Sequence, residues 1–230
     1  MRLDIITLFS GAYWGPLEQS IPARARDKGL VEINIVNLRD FTSDNYGTVD
    51  DRPFGGGAGM VLKPEPLFDA VQYCRTDSSQ VVLLTPQGRR FNQGIARELS
   101  AAKHLIMICG HYEGVDERVR QTLVDHEISI GDYILSNGNL AAMVVADALI
   151  RLLPGALGCA ESCETESFGA DGLLDFPQYT RPAMFREMAV PEVLLCGDHA
   201  RIKAWRHEQK RVRTVARRPD LVQNSLETEQ

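Results

Sequence analysis

Three short stretches put glycine and polar residues directly after apolar runs: TPQG at 85–88, CGHYEG at 109–114 and GDYILSNG at 131–138. Glycine has no side chain, so the main chain can approach a ligand closely at such positions. In open parallel sheets ligands sit beyond the carboxyl ends of the strands, where such turns fall. One glycine turn alone needs nothing more than tight geometry. Three of them after consecutive strands can line one pocket with main-chain amides and carbonyls, suited to a flat or polar ligand.

A second feature is charge. The chain carries a net charge of −6, yet RIKAWRHEQKRVRTVARR, residues 201–218, holds eight Lys or Arg against one Glu. An acidic body with a basic segment fits phosphate binding, and equally a solvated helix face. The usual nucleotide and hydrolase signatures are missing. GGGAGM at 55–60 is neither G-x-G-x-x-G nor a P-loop and follows a polar loop, and the chain has no H-E-x-x-H and no G-x-S-x-G. Cys159 and Cys163 are close in sequence but lack a second ligand pair, so no metal site is predicted. Five cysteines, an odd number, suit buried reduced thiols and a cytoplasmic protein. The longest apolar run, near 140–153, is broken by Asp147 and Arg151 and falls short of the roughly 20 residues of a bilayer span. MRLDIITLF reads as a first strand and not a signal peptide.

The elements that must position these turns follow from periodicity. RLDIITLF and LVEINIVNL read as strands, with a helix in the intervening SGAYWGPLEQSIPARARDK. After a long polar and glycine-rich connection, from 39 to 64, the alternation is regular: helix PEPLFDAVQYC, strand QVVLLT, turn PQG, helix FNQGIARELS, strand HLIMIC, a short helix opened by GHYEGVDERV, strand EISI, and helix NLAAMVVADALIRLL. Apolar strands alternating with helices predict an α/β fold with a parallel sheet. Pro154 and Gly155 end the last helix. An irregular stretch follows, and the remainder predicts a small helical domain with Asp198 as N-cap. The boundaries are 1–155, an interdomain linker or lid at 156–182, and 183–230.

TVDDRPFGGGAGM, PQGRRFNQ, CGHYEGVDERV, SIGDYIL, IRLLPGALG, DGLLD, YTRP and RRPDL, in this order and spacing, resemble the bacterial tRNA (guanine-N1-)-methyltransferases of the knotted SPOUT class. The resemblance runs from residue 1 to about residue 222. It implies methylation of N1 of the guanosine at tRNA position 37 from S-adenosylmethionine, and an obligate homodimer whose active site takes parts from both subunits. It also implies a parallel sheet carrying a deep trefoil knot, one of the rare exceptions to unthreaded chains.

Carried onto this chain, the resemblance assigns Pro86, Gly88, Gly110, Tyr112, Glu113, Gly114, Ile130, Gly131, Asp132, Tyr133, Ile134, Leu135 and Gly138 to the cofactor pocket. Backbone groups near Tyr133 and Leu135 would bind adenine. Asp50, Asp51 and Arg52 in the long loop would face the anticodon. Arg201, Lys203, Arg206, Lys210, Arg217 and Arg218 of the tail would meet RNA phosphates, which position without reading sequence. Trp205 reads more readily as core than as a base-stacking residue.

Guanine N1 carries a weakly acidic proton and is a poor nucleophile until a base removes it, whereas a sulfonium methyl chiefly needs placement. The resemblance supplies Arg151 to orient guanine O6 and stabilise the charge that develops. Asp147, four residues earlier, shares its helix face, and an intrahelical ion pair also accounts for that spacing. For the base the family has an Asp before Ser-Phe. This chain reads ETESF, which makes Glu166 the base, with Glu164 and Asp171 as further candidates. It also has Asn137 and Asn139 where family members have Gly and Glu. Asn tolerates left-handed backbone, and Asn139 leaves an uncharged start to the helix. These three departures motivate an alternative: a weakened or inactive RNA-binding relative that keeps the knot.

Overall fold

The structure, a computed structural model, describes residues 1–13, 15–158 and 166–222. Cys159, Cys163 and Glu164 lie outside the described residues. The chain divides into two compact units, Met1–Gly158 and Cys159–Gln230.

The first unit is a five-stranded parallel sheet. In chain order the strands are β1 (Arg2–Thr7), β2 (Glu32–Asn37), β5 (Ser79–Arg90), β6 (His104–Cys109) and β7 (His126–Ser129), and they lie in the order β2-β1-β6-β5-β7. Every residue of HLIMIC in β6 is buried, which fits a strand covered on both faces. Alternate side chains go to opposite sides. Leu3, Ile5, Leu105, Met107 and Cys109 join one core cluster, and Ile6, Ile106 and Ile108 the other.

Helices cover each face. On the first are α1 (Ser20–Asp27), α3 (Gln93–Ser100) and α5 (Asn139–Leu152), and on the second α2 (Pro64–Cys74) and α4 (Glu117–Leu123). In α5 the stripe Ala142, Val145, Ala146, Leu149 and Ile150 is buried at helical spacing. The helix stops at Leu153, whose extended backbone is the conformation a residue before proline prefers.

Three readings of the sequence change. The single helix expected between β1 and β2 is two short 3-10 turns, Ser10–Tyr13 and Pro16–Glu18, followed by α1. The long polar connection forms a small antiparallel pair, β3 (Asp50–Asp51) with β4 (Val61–Leu62). The PQG segment is not a turn between elements but an excursion within β5. Leu84 and Arg89 both pair with Ile128, and the residues between them bulge out.

The second unit contains a two-stranded hairpin, β8 (Met184–Phe185) and β9 (Met188–Ala189), and the helix α6 (His199–Arg217). Asp198 caps α6 as expected, its Oδ1 accepting from the amides of Ala200 and Arg201 at 3.0 and 3.1 Å. Trp205 is half-buried. Of the free thiols, Cys74 and Cys109 are buried, but Cys196 is exposed on the loop before α6. Among the described residues no helix is long and apolar enough to cross a membrane.

Candidate active site at the carboxyl ends of the strands

The three glycine stretches meet in one cleft of about 580 Å³ at the carboxyl ends of β5, β6 and β7. Its size falls in the range of small-molecule sites. Two glycines make the convergence possible. At Gly88 a Cβ would run into the main chain of Glu127 and Ile128, and at Gly138 it would lie 2.8 Å from Cys109 Cα and 2.9 Å from Gly110 N. No real Cβ sits that close, so the main chain of β5 lies against β7, and the start of α5 against the end of β6, only because a side chain is missing. The Gly138 amide donates to Gly110 O at 2.8 Å, and His111 bridges Asn137.

Of the residues assigned to a cofactor, Pro86, Gly110, Tyr112, Glu113, Gly114, Ile130, Gly131, Tyr133, Ile134, Leu135 and Gly138 line this cleft. Gly88 lies behind it, against the main chain of Glu127 and Ile128. Asp132 departs from the expectation: its exposed carboxylate points to Arg90, 3.7 Å away, because the turn directs it to solvent. His111 and Asn137, within the glycine stretches, also line the cleft, as does Arg120, which the sequence did not single out. Arg120 donates to Glu127 at 2.7 Å, Glu117 at 3.0 Å and Gln87 at 2.8 Å, so one guanidinium ties α4, β7 and the excursion of β5. The only sequence signal for it was the spacing of three from Glu117. The ring of His111 packs edge-on to Tyr112 at 4.2 Å, and burial lowers its pKa against the opposing pull of Asp50.

The glycine-rich loop is fastened to this cleft. Glu113 N donates to Met60 O, Leu62 N to Gly114 O and Asp116 N to Leu62 O, each at 3.0 Å. The Glu113 side chain fills the space that a Cβ on Gly59 would take. Asp50 is half-buried in β3, while Asp51 and Arg52 are exposed beside it.

Arg151, half-buried, and Asp147, exposed, border a second, shallower concavity of about 450 Å³ with residues of the segment 15–22. In the second unit, Glu166 begins a tight turn in which Gly169 N donates to its carbonyl at 3.0 Å. The next residues are pinned by Phe168 N to Leu173 O at 2.8 Å and Asp175 N to Ser167 Oγ at 2.9 Å.

Along α6, Arg201, Lys203, Arg206 and Arg217 are exposed, as is Arg218 just beyond it. The Arg206 guanidinium lies over the Phe176 ring at 4.7 Å, and Arg218 pairs with Asp220 at 2.6 Å. Lys210 differs from these in its exposure. It is buried, and its Nζ lies 3.0 Å from Asp171, because the helix turns this position inward while its neighbours face water. The same pair occupies the Asp171 carboxylate, weakening it as a candidate base. Among the described residues no group of three or more His, Cys, Asp or Glu is placed to hold a metal ion.

Comparison with known proteins is consistent with this geometry. The family described as tRNA (Guanine-1)-methyltransferase TrmD matches residues 1–224. A tRNA (guanine-N(1)-)-methyltransferase of Staphylococcus epidermidis is 54% identical over 230 residues, covering 100% of this chain and 94% of the relative. That of Carboxydothermus hydrogenoformans is 55% identical over 222 residues, 96% of this chain and 87% of the relative. That of Geobacillus kaustophilus is 53% identical over 224 residues, 96% and 91% of the two chains. With the family match over residues 1–224 and more than half of its residues identical to these relatives along nearly its whole length, the chain belongs to the tRNA (guanine-1)-methyltransferase TrmD family.

Proposed function

We propose that the chain methylates N1 of the guanosine at tRNA position 37, with S-adenosylmethionine as methyl donor. The observation that carries this reading is the convergence of three glycine stretches on one cleft in a chain of this family. The cleft fits the donor. Apolar Ile134, Leu135 and Ala141 offer surface for an adenine, main-chain groups offer hydrogen bonds, and the Tyr112 ring and Glu113 carboxylate are suited to a cation. When bound, the donor supplies a methyl on a positively charged sulfur.

This chain's residues do the rest. Glu166 accepts the N1 proton, and Arg151 holds O6 and stabilises the charge that moves onto it. The exposed cations Arg201, Lys203, Arg206, Arg217 and Arg218 bind phosphates, with Asp50 and Arg52 nearer the anticodon. Lys210, which the resemblance also assigns to RNA, is buried against Asp171 and would act by holding the helix in place.

The same reading includes a trefoil knot and a homodimer with a composite active site. Support for the knot is the family match together with the close main-chain approaches at Gly88 and Gly138. Support for the dimer is the outer face of α5, where Leu140 and Val144, about half exposed, form an apolar strip beside Asp147. The domain boundaries 1–155, 156–182 and 183–230 belong to this reading as well.

The test is transfer of labelled methyl from S-adenosylmethionine to tRNA with guanosine at positions 36 and 37. Equal labelling of tRNA altered at position 37 overturns the specificity. Donor binding without transfer to any tRNA favours the inactive relative. Glu166→Gln is expected to abolish transfer while donor binding persists, and full activity of that variant would move the base elsewhere.

A further inference from the structure

We propose that Asn139 is a positioning residue of the donor cleft, acting through a buried hydrogen-bond hub behind the wall. The inference rests on the donor reading above and adds a residue that does not touch the donor. Asn139 opens α5 and is only 4% exposed, and its Oδ1 accepts from Thr7 Oγ at 2.8 Å and from the Tyr13 hydroxyl at 3.3 Å. The Tyr13 oxygen also lies 3.1 Å from Cys109 Sγ. One side chain thus joins the carboxyl ends of β1 and β6, the 3-10 turn that carries Tyr13, and the first turn of α5.

Thr7, Tyr13 and Asn139 do not line the cleft, but the Asn139 amide is bonded to a residue that does. Asn139 N donates to Asn137 Oδ1 at 3.0 Å, closing the turn 137–139. Gly138, between them, presses on Cys109 and Gly110 with no room for a Cβ, and its carbonyl receives the first helical bond, from Ala142 N at 2.9 Å. Both Asn137 and Gly138 line the cleft. The side chain at 139 therefore sets where that wall stands. In a close-packed interior a shift of the helix start passes directly to the wall.

The arrangement also explains the departures at 137 and 139. Asn137 supplies the acceptor for the Asn139 amide, two residues on, and Asn139 supplies the acceptor for two buried hydroxyls. Each oxygen meets donors that would otherwise lose their partners in the interior, where that loss is costly.

The experiment is calorimetric titration of S-adenosylmethionine into the wild-type protein, Asn139→Leu, Tyr13→Phe, the double variant and Leu149→Ala. Leu149→Ala is a destabilised control, since Leu149 is fully buried in the same helix but remote from the turn. Asn139→Leu keeps the size and removes the acceptor, so the donor Kd is expected to rise about tenfold, the equivalent of one lost buried partner. In turnover, KM for the donor rises with kcat unchanged, the mark of lost ground-state binding. Tyr13→Phe, milder and able to report even if Asn139→Leu fails to fold, should raise the Kd in the same direction. In the double variant the two effects should fall short of their product, because the hydroxyl acts through the lost acceptor.

A wild-type Kd in both single variants overturns the proposal. So does an equal loss of affinity in Leu149→Ala at equal Tm, which would reduce the effect to general destabilisation. A wild-type protein that binds no donor overturns the donor reading itself, and the positioning role with it.

Discussion

Lys210 Nζ stands 3.0 Å from the Asp171 carboxylate, and the lysine is almost wholly buried while the aspartate is partly open to water. The pair joins α6 to the turn that follows Glu166, within the second unit. Lys210→Ala is therefore expected to destabilise that unit by about 1–2 kcal/mol, discounted for the exposure of Asp171. Denaturant unfolding measures it. Arg201→Ala with Lys203→Ala should do the reverse: leave unfolding unchanged, weaken tRNA binding, and flatten its salt dependence by about two units of slope.

Gly88→Ala and Gly138→Ala force a methyl into a main-chain contact with Ile128 and with Cys109, respectively. Backbone cannot step aside as a side-chain tip can. Donor affinity is expected to fall at least tenfold, with overpacking costs of about 1–3 kcal/mol in stability. Gly158→Ala, where a Cβ meets open space, is the control expected to change neither.

Arg151→Lys keeps the positive charge and loses the planar fork that can hold a guanine edge. The expectation is a drop in kcat, smaller than the roughly 100- to 1000-fold loss expected for Arg151→Ala, with donor Kd unchanged in both. Single-turnover methylation with saturating donor separates the two steps. A donor Kd that moves with the arginine would place Arg151 in donor binding instead.

The hub behind the cleft sets an alkaline limit. Burial pushes the Cys109 thiol up to about 12 from an ordinary value near 9. The Tyr13 hydroxyl is raised well above its usual range, first by burial and then by Cys109. Both folded-state values lie above the unfolded ones, so their contribution to stability is whole below pH about 9 and declines as pH rises toward about 12. Tm measured from pH 8 to 11 should fall, and Cys109→Ala with Tyr13→Phe should flatten that fall.

Much of the first unit was legible in the sequence because its strands are unbroken apolar runs: HLIMIC could only be a covered strand. The C-terminal helix was equally plain from the Asp198 cap and the basic periodicity. PQG misled because turn residues were taken to end a strand, whereas Arg89 resumes pairing with the same Ile128 that Leu84 had already met. Such an excursion is a tertiary fact with no local signature. Lys210 misled for a related reason. A lysine among seven other cations reads as surface, and only the turn carrying Asp171 reveals its partner. Arg120 went unnoticed because two of its three carboxylate and amide partners, Glu127 and Gln87, come from elements outside its own helix.

The wall at Gly110 and Gly138, with Gly88 behind it, has a consequence for inhibition. A compound that occupies the cleft by reading main-chain amides and carbonyls presents few side chains whose replacement could evict it. At Gly88 and Gly138 the replacement collides with the protein's own backbone before it reaches the compound. Resistance would then arise at the side chains that line the cleft, first among them the exposed Tyr112, Glu113, Tyr133 and Ile134. The positions to watch under selection are accordingly few, and they can be named before any inhibitor is made.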